Sequence, residues 1–244
     1  MSIPLPRLTL VELRKLADTR AGLWLLVLIG LGVAGTAVIL LGWAPDEELT
    51  FAGFLGFGLA PSVVLLPVLG ILSMTGEWSQ RTALTTFALV PSRLRVIAAK
   101  LAAGVLVALA TTALTLLLAA AANLIGMARG GDGSWHVAGS LIWQGALSEV
   151  LFLLMGMAFG ALLLSSPLAI VAFFALPTIS GILRETIKAL GRVSGWLDLG
   201  ITSGPLSEPS MTSGEYARLA VSCLVWVALP LVLGSVRILR REVA

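Results

Sequence analysis

The chain alternates long apolar runs with short polar breaks. Six of these runs are long enough to cross the roughly 30 Å hydrocarbon core of a bilayer, which takes about 20 helical residues. They cover residues 21–43, 51–75, 94–126, 140–164, 167–183 and 216–236. The pattern therefore predicts an all-α integral membrane protein in which residues 1–244 form a single transmembrane domain.

The stretch before the first apolar run has a different pattern. In residues 1–20, Leu10, Leu13 and Leu16 share one helical face, whereas Glu12 and Lys15 belong to a charged face. A helix with one apolar and one charged face lies along the membrane surface. We therefore predict an N-terminal interfacial helix, with Arg20 at its end.

The second and third apolar runs are separated by a polar and basic stretch, EWSQRTALTTFALVPSRLRVIAAK. Within it, Leu84, Phe87 and Ala88 follow the spacing of one helical face. Pro91 should end this helix, because proline lacks a backbone donor and clashes with the preceding turn. Ser92 can then cap the next helix. The pattern predicts a short amphipathic helix over residues 77–90.

The stretch before the last apolar run mixes apolar residues with glycine and proline. Residues 184–192 read as a short charged helix, and the remainder up to 215 suits a partly inserted, re-entrant segment. Irregular backbone at membrane depth is tolerated only where neighbouring helices protect it. We therefore predict an outer or re-entrant segment over residues 184–215.

Composition and charge agree with a membrane protein and fix its orientation. Only 12% of residues are charged and mean hydropathy is +1.01, whereas soluble domains average roughly 25% charged residues. Most of the 16 Lys and Arg residues fall in the N-terminal arm, residues 76–100 and the C-terminal tail. Positive charge marks the cytoplasmic side, so both termini should be cytoplasmic in the cell membrane. Because topology already accounts for these basic residues, we expect no nucleic-acid partner.

Two polar residues inside apolar runs are candidates for a transport path. Glu149 lies about mid-span, where a carboxylate costs roughly 2.5–3.5 kcal/mol on insertion scales. It either lines a path or binds a proton, or else it hydrogen-bonds Gln144, Ser148 or a neighbouring helix. Asn123, near the outer end of the third run, either meets a substrate or is satisfied by backbone or water.

Catalytic and nucleotide-binding motifs are missing from the sequence. No GxxxxGK[ST] loop occurs, so ATP hydrolysis by that route needs another subunit. The single histidine, His136, lies in an outer loop, and no His, Cys, Asp or Glu cluster has metal-ligand spacing. We expect no catalytic residue, metal or cofactor in this chain. Two alternatives stay open: a six-span membrane enzyme, such as an intramembrane hydrolase using Glu149 or His136, and an ATP-independent binding or immunity protein.

The polar stretch after the second run resembles the first cytoplasmic loop of the ABC-2 type permeases, the membrane subunits of bacterial ABC transporters. The matching residues are Glu77, Trp78, Ser79, Gln80, Arg81, Thr82, Thr85, Thr86, Pro91, Ser92, Arg93 and Lys100. The N-terminal arm, through Glu12, Lys15, Leu16 and Arg20, is similar to the interfacial helix of that family. Many relatives have glycine where this chain has Arg81. We therefore expect the backbone geometry at the contact to differ from theirs.

The resemblance implies a partner and a role for the short helix. Residues 77–90 would form a coupling helix seated in a cleft of a separate ATPase subunit, which binds ATP and Mg. The implied contact residues are Glu77, Trp78, Gln80, Arg81, Thr82, Thr85, Phe87, Pro91 and Arg93. Two ATPase copies and a second permease copy or paralogue would complete an exporter of a hydrophobic or amphipathic compound. The alternative is a passive helix that rests on lipid headgroups.

Overall fold

The computed structural model describes residues 4–80, 82–90, 92–186 and 190–241, without the side chains of residues 83, 87, 184, 185 and 190–193. This part of the chain is helical and contains no strand. Its helices are α1 Leu5–Asp18, α2 Arg20–Trp43, α3 Phe51–Ser79, α4 Ala83–Leu89, α5 Arg93–Ala128, α6 Gly139–Leu163, α7 Ser166–Thr186, α8 Leu190–Leu197, α9 Leu199–Thr202, α10 Ser213–Cys223 and α11 Leu229–Arg240. A π-helical segment, Leu224–Ala228, joins α10 to α11.

Six helical segments of the described chain are long and apolar enough to cross a membrane, as the sequence predicted. They are α2, α3, α5, α6, the Ser166–Leu183 part of α7, and the continuous Ser213–Arg240 segment. With 36 residues, α5 is about 54 Å long at 1.5 Å per residue. It therefore exceeds the hydrocarbon thickness and must tilt or extend beyond it.

The centre of the bundle is a close packing of α3 against α6. A Cβ atom added to Gly70 would lie 2.6 Å from the carbonyl oxygen of Leu153, and one added to Gly160 would lie 2.9 Å from that of Ile71. On Gly156 it would overlap Pro67. These glycines let the two backbones approach each other. The GxxxG pair, Gly156 and Gly160, is thus used within a single chain.

Helix α1 packs against α5 and α2 at one end of the bundle. Its buried face carries Leu8, Glu12 and Leu16, whereas Leu10 is exposed. The predicted apolar face is therefore divided, because Leu16 packs on the protein, Leu13 is half-buried and Leu10 is exposed. The reason is that Glu12, assigned to the charged face, finds charged partners inside the fold.

The segment before the last span forms helices α8 and α9 and a 3₁₀ turn, Gly204–Ser207. Leu199 and Leu206 are buried in an apolar cluster with Phe159 and Phe173. The indole nitrogen of Trp226 donates to the carbonyl oxygen of Leu197 over 2.5 Å. The end of α8 therefore packs beside the π-helical middle of the last span. Re-entry into the membrane stays a prediction.

Candidate functional site

The short helix after the second span is smaller than the sequence predicted. Helix α3 continues through Glu77 and Trp78 to Ser79, and α4 begins only at Ala83. The prediction of one helix over residues 77–90 is wrong in this respect. Backbone bonds from Gln80 to Gly76 and from Thr82 to the carbonyl of Glu77, at 3.0 and 2.9 Å, complete the last turn of α3 and form the bend.

Helix α4 ends where the sequence predicted a stop. Its last residue is Leu89, and Val90 has extended backbone angles, φ −129° and ψ 92°. A residue that precedes proline is disfavoured in the α region by contact with the proline ring. Pro91 itself lies outside the described residues, but its effect on Val90 accounts for the end of the helix.

One side of α4 is open to the surroundings. Leu84 is 53% exposed, and Ala88, one turn further along the helix, is also exposed. The helix is joined to α3 and α5 by the short links 80–82 and 90–92. Such links leave α4 little freedom to move independently of the two spans.

The inner side of α4 meets a group of four charged residues, which we call the charge cluster: Glu12, Lys15, Glu77 and Lys100. These residues come from α1, α3 and α5. Lys100 Nζ lies 2.7 Å from Glu12 Oε2 and 3.3 Å from Glu77 Oε1. Lys15 Nζ lies 2.7 Å from Glu12 Oε1 and 2.9 Å from Glu77 Oε1. Each carboxylate therefore has two lysine partners.

Most of the charge cluster is withdrawn from solvent. The side chains of Lys100, Glu12 and Glu77 are 7%, 8% and 11% exposed. Charges at such depth are tolerated when they are paired and their remaining hydrogen-bonding capacity is filled. Lys100 Nζ also donates to the carbonyl oxygen of Ser73 over 3.0 Å. The cluster thus satisfies the condition for buried charge.

Thr86 connects α4 to the charge cluster. Its hydroxyl donates to Glu77 Oε1 over 3.3 Å, and that same oxygen is paired with Lys15 and Lys100. Glu77 is therefore the residue through which α1, α3, α4 and α5 are linked. The bond from Thr86 is thus the side-chain connection between α4 and this carboxylate.

Lys15 is the most exposed member of the cluster, with 41% of its side chain accessible. Burial on its own lowers its pKa, but hydrogen bonds to Glu12 and Glu77 and their negative charges outweigh burial and raise the pKa of Lys15 above 10.5. The two carboxylates hold the ammonium group in its charged form.

A second set of contacts ties the last span to the same end of the bundle. Arg93 Nη1 donates to the carbonyl oxygens of Ile238 and Arg241 over 2.6 and 2.7 Å. The guanidinium of Arg241 lies 5.1 Å from the centre of the Trp78 ring, within range of a cation–π interaction. The C-terminus of α11 is therefore fastened to the start of α5 and the end of α3.

A cavity of about 530 Å³ lies between α1, the end of α3, α4 and the start of α5. Its wall includes the charge cluster, and α4 contributes Thr85, Thr86 and Leu89. The space beneath α4 is thus not filled by the described part of the chain.

The predicted contact residues are not all together. Glu77 and Trp78 belong to α3, Arg93 begins α5, and Gln80, Thr82 and Thr85 are exposed on the link and on α4. Arg20 is exposed at the start of α2 and is not a member of the charge cluster. Arg81, Pro91 and the side chain of Phe87 lie outside the described residues. Lys100 lies together with Glu12, Lys15 and Glu77, and this grouping was not predicted.

Asn123 is fully buried. Its amide nitrogen donates to the carbonyl oxygens of Gly133 and Ser134 over 3.1 and 3.5 Å. Its nitrogen therefore holds the loop after α5, whereas its Oδ1, also buried, has no hydrogen-bond partner in the described part of the chain.

Glu149 is also fully buried. Its carboxyl group contacts the hydroxyls of Ser62 on α3 and Thr112 on α5, rather than Gln144 or Ser148. A role for Glu149 or Asn123 in lining a path stays a prediction, since the expected path lies between two copies.

His136 is exposed in the loop before α6, whereas Glu149 is enclosed by the bundle. No three His, Cys, Asp or Glu side chains of the described chain are grouped so that they could hold a metal ion. A scan against protein-family models and a search of curated proteins found no match for the sequence. The likeness to ABC-2 type permeases therefore rests on the residues given above.

Proposed function

We propose that this chain is the membrane-spanning subunit of an ABC transporter of the ABC-2 type. A separate ATPase subunit, present in two copies, binds ATP and Mg and supplies the energy. The permease pairs with a second copy or a paralogue in the cell membrane, and the transporter exports a hydrophobic or amphipathic compound. Both termini are cytoplasmic in this arrangement.

The observation that carries the proposal is the two-sided environment of α4. Its outer side is open, with Leu84 and Ala88 exposed. Its inner side is bonded through Thr86 to Glu77, which is paired with lysines of α1 and α5. A partner that moves the outer side therefore displaces several helices together.

The geometry of the links supports the same function. A short helix held by the links 80–82 and 90–92 transmits a rigid-body displacement to α3 and α5 rather than absorbing it. A helix that only rests on headgroups needs neither short links nor a hydrogen bond to a buried carboxylate. The charge cluster thus favours a mechanical role over a passive one.

The distribution of charge supports a cytoplasmic position for α4. The ends of α3, α4 and α11 and the start of α5 lie at one end of the bundle, which carries Arg93, Arg95, Arg237, Arg240 and Arg241. Cations concentrate on the cytoplasmic side of membrane proteins. An ATPase that uses cellular ATP would reach α4 only from this side.

Co-purification tests the proposal. The tagged full-length chain is expressed in its own host and purified from membranes, and the purified material is assayed for a bound ATPase subunit. We expect Leu84→Glu and Ala88→Glu to reduce ATPase recovery at least several-fold, because each places a new charge on the open side of α4. The control Glu208→Lys, in an exposed position before α10, should recover as much ATPase as the unchanged chain. Equal recovery with both α4 variants would overturn the proposed docking site.

A further inference from the structure

Glu149 is enclosed where three spans meet. It lies on α6, and its side chain is fully buried. One carboxyl oxygen contacts Ser62 Oγ of α3, and the other lies 2.5 Å from Thr112 Oγ1 of α5. Each oxygen is therefore attached to a different neighbouring helix.

No cation among the described residues balances the charge of an ionised Glu149. In the described part of the chain, no Lys, Arg or His nitrogen is paired with it within 4.0 Å, whereas Glu12 and Glu77 each have two lysine partners. Burying an unpaired, ionised carboxylate costs several kcal/mol, and the group takes up a proton rather than staying charged. The absence of a partner cation therefore favours the neutral acid.

The hydrogen bonds around Glu149 point the same way. Ser62 Oγ also lies 2.9 Å from the carbonyl oxygen of Leu59, and Thr112 Oγ1 lies 3.1 Å from that of Ala108. A hydroxyl has one proton to donate, and a carbonyl oxygen only accepts. With an ionised Glu149, two hydroxyl protons would have to serve two carboxylate oxygens and two carbonyl oxygens.

A proton on the carboxyl group relieves this shortage. Glu149 then donates to one hydroxyl, and that hydroxyl becomes free to donate to its own carbonyl oxygen. Three of the four contacts become complete hydrogen bonds instead of two. Because buried polar groups are normally paired, the neutral acid fits this arrangement better than the carboxylate.

We propose that Glu149 is a proton-binding site within the membrane bundle, where the neutral carboxylic acid clamps α3, α5 and α6 together through Ser62 and Thr112. This inference does not depend on the ABC-2 assignment or on an ATPase partner. The proton stays bound while the three helices remain packed and is exposed to exchange only when they separate.

Infrared spectroscopy of the full-length protein in lipid nanodiscs at neutral pH tests the inference. Samples with unlabelled and ¹³C-labelled glutamate are compared to assign glutamate bands. We expect a carbonyl stretch of a protonated carboxylic acid that shifts on labelling and is lost in Glu149→Gln. The glutamine variant should keep the fold, because an amide also donates to one hydroxyl and accepts from the other.

A second variant keeps the test decisive if the glutamine variant fails to fold. Removing one hydroxyl in Ser62→Ala should shift the same carbonyl band in frequency, because one hydrogen bond to the acid is lost. A spectrum in which Glu149→Gln removes only carboxylate bands would overturn the inference. So would a protonated glutamate band that is unaffected by both variants.

Discussion

Replacing Lys100 with methionine removes the most buried cation of the charge cluster. The variant leaves Glu12 and Glu77 to share Lys15 alone, and it removes the side-chain donor to the carbonyl oxygen of Ser73. In the native chain, Lys100 Nζ lies 2.7 Å from Glu12, 3.3 Å from Glu77 and 3.0 Å from that carbonyl. Breaking one side of a buried ion pair typically costs about 3–5 kcal/mol. We expect a loss of this size in the free energy of unfolding.

The double variant Glu12→Met/Lys100→Met separates the ionic effect from simple packing. It removes one charge of each sign and leaves Lys15 and Glu77 paired at 2.9 Å. Replacing both members of a buried pair with apolar residues of similar size is often nearly neutral. The double variant should therefore be less destabilised than Lys100→Met alone, although it carries one more substitution.

The assay is unfolding of the purified chain by SDS in mixed micelles, followed by near-UV circular dichroism. Arg95→Met is the matched control, because Arg95 lies on the same helix and is only half-buried. It should change the free energy of unfolding by no more than about 0.5 kcal/mol. Two results would refute a stabilising role for these ion pairs. One is that Lys100→Met loses no more unfolding free energy than this control. The other is that the double variant loses as much as the single variants Lys100→Met and Glu12→Met added together.

Three further predictions follow from contacts of the charge cluster, the helix core and the loop after α5. Raising the pH through and beyond 10.5 should lower the melting temperature of the native chain more than that of Lys15→Met. The raised pKa of Lys15 contributes stability below this pH, and this stability is lost as the lysine deprotonates. Parallel curves of melting temperature against pH for the two proteins would exclude this contribution of Lys15. Gly156→Ala should destabilise the chain by about 1–3 kcal/mol, since its Cβ overlaps Pro67, whereas Gly35→Ala, with open space around the added atom, should be neutral or stabilising in thermal unfolding. Asn123→Ala should speed limited proteolysis within residues 130–134, because the bond to Gly133 is lost; unchanged cleavage rates would show that this bond does not hold the loop.

Apolar run length predicts the spans well because the hydrocarbon core imposes it. Each observed helix covers the corresponding run except α6, which ends at Leu163, one residue before the predicted end. The other differences are extensions, such as the end of α3 at Ser79 rather than residue 75. The short bend after Ser79 was harder to foresee. No proline or glycine marks it. The bend is formed by backbone hydrogen bonds, which side-chain periodicity does not predict.

The charge cluster illustrates what a single sequence leaves open. Glu12 and Lys100 are 88 positions apart and Lys15 and Glu77 are 62 apart, and helical periodicity carries no information about such distant pairs. Lys100 did carry a signal, because it interrupts the apolar run VIAAKLAAG. A charge in such a run needs a partner, and Glu12 on the buried face of α1 provides one. Asn123 gave no comparable indication that it holds a loop.

The measurement that tests the mechanical role of α4 most directly is site-specific cross-linking from its open side. In a Cys223→Ser background, Leu84→Cys is labelled with a photoactivatable thiol reagent in membranes that contain the transporter complex. We expect this position to cross-link to a nucleotide-binding ATPase and to react with membrane-impermeant thiol reagents only from the cytoplasmic side. Labelling from outside intact cells, or an assembled complex with no ATPase cross-link at Leu84, would contradict the account.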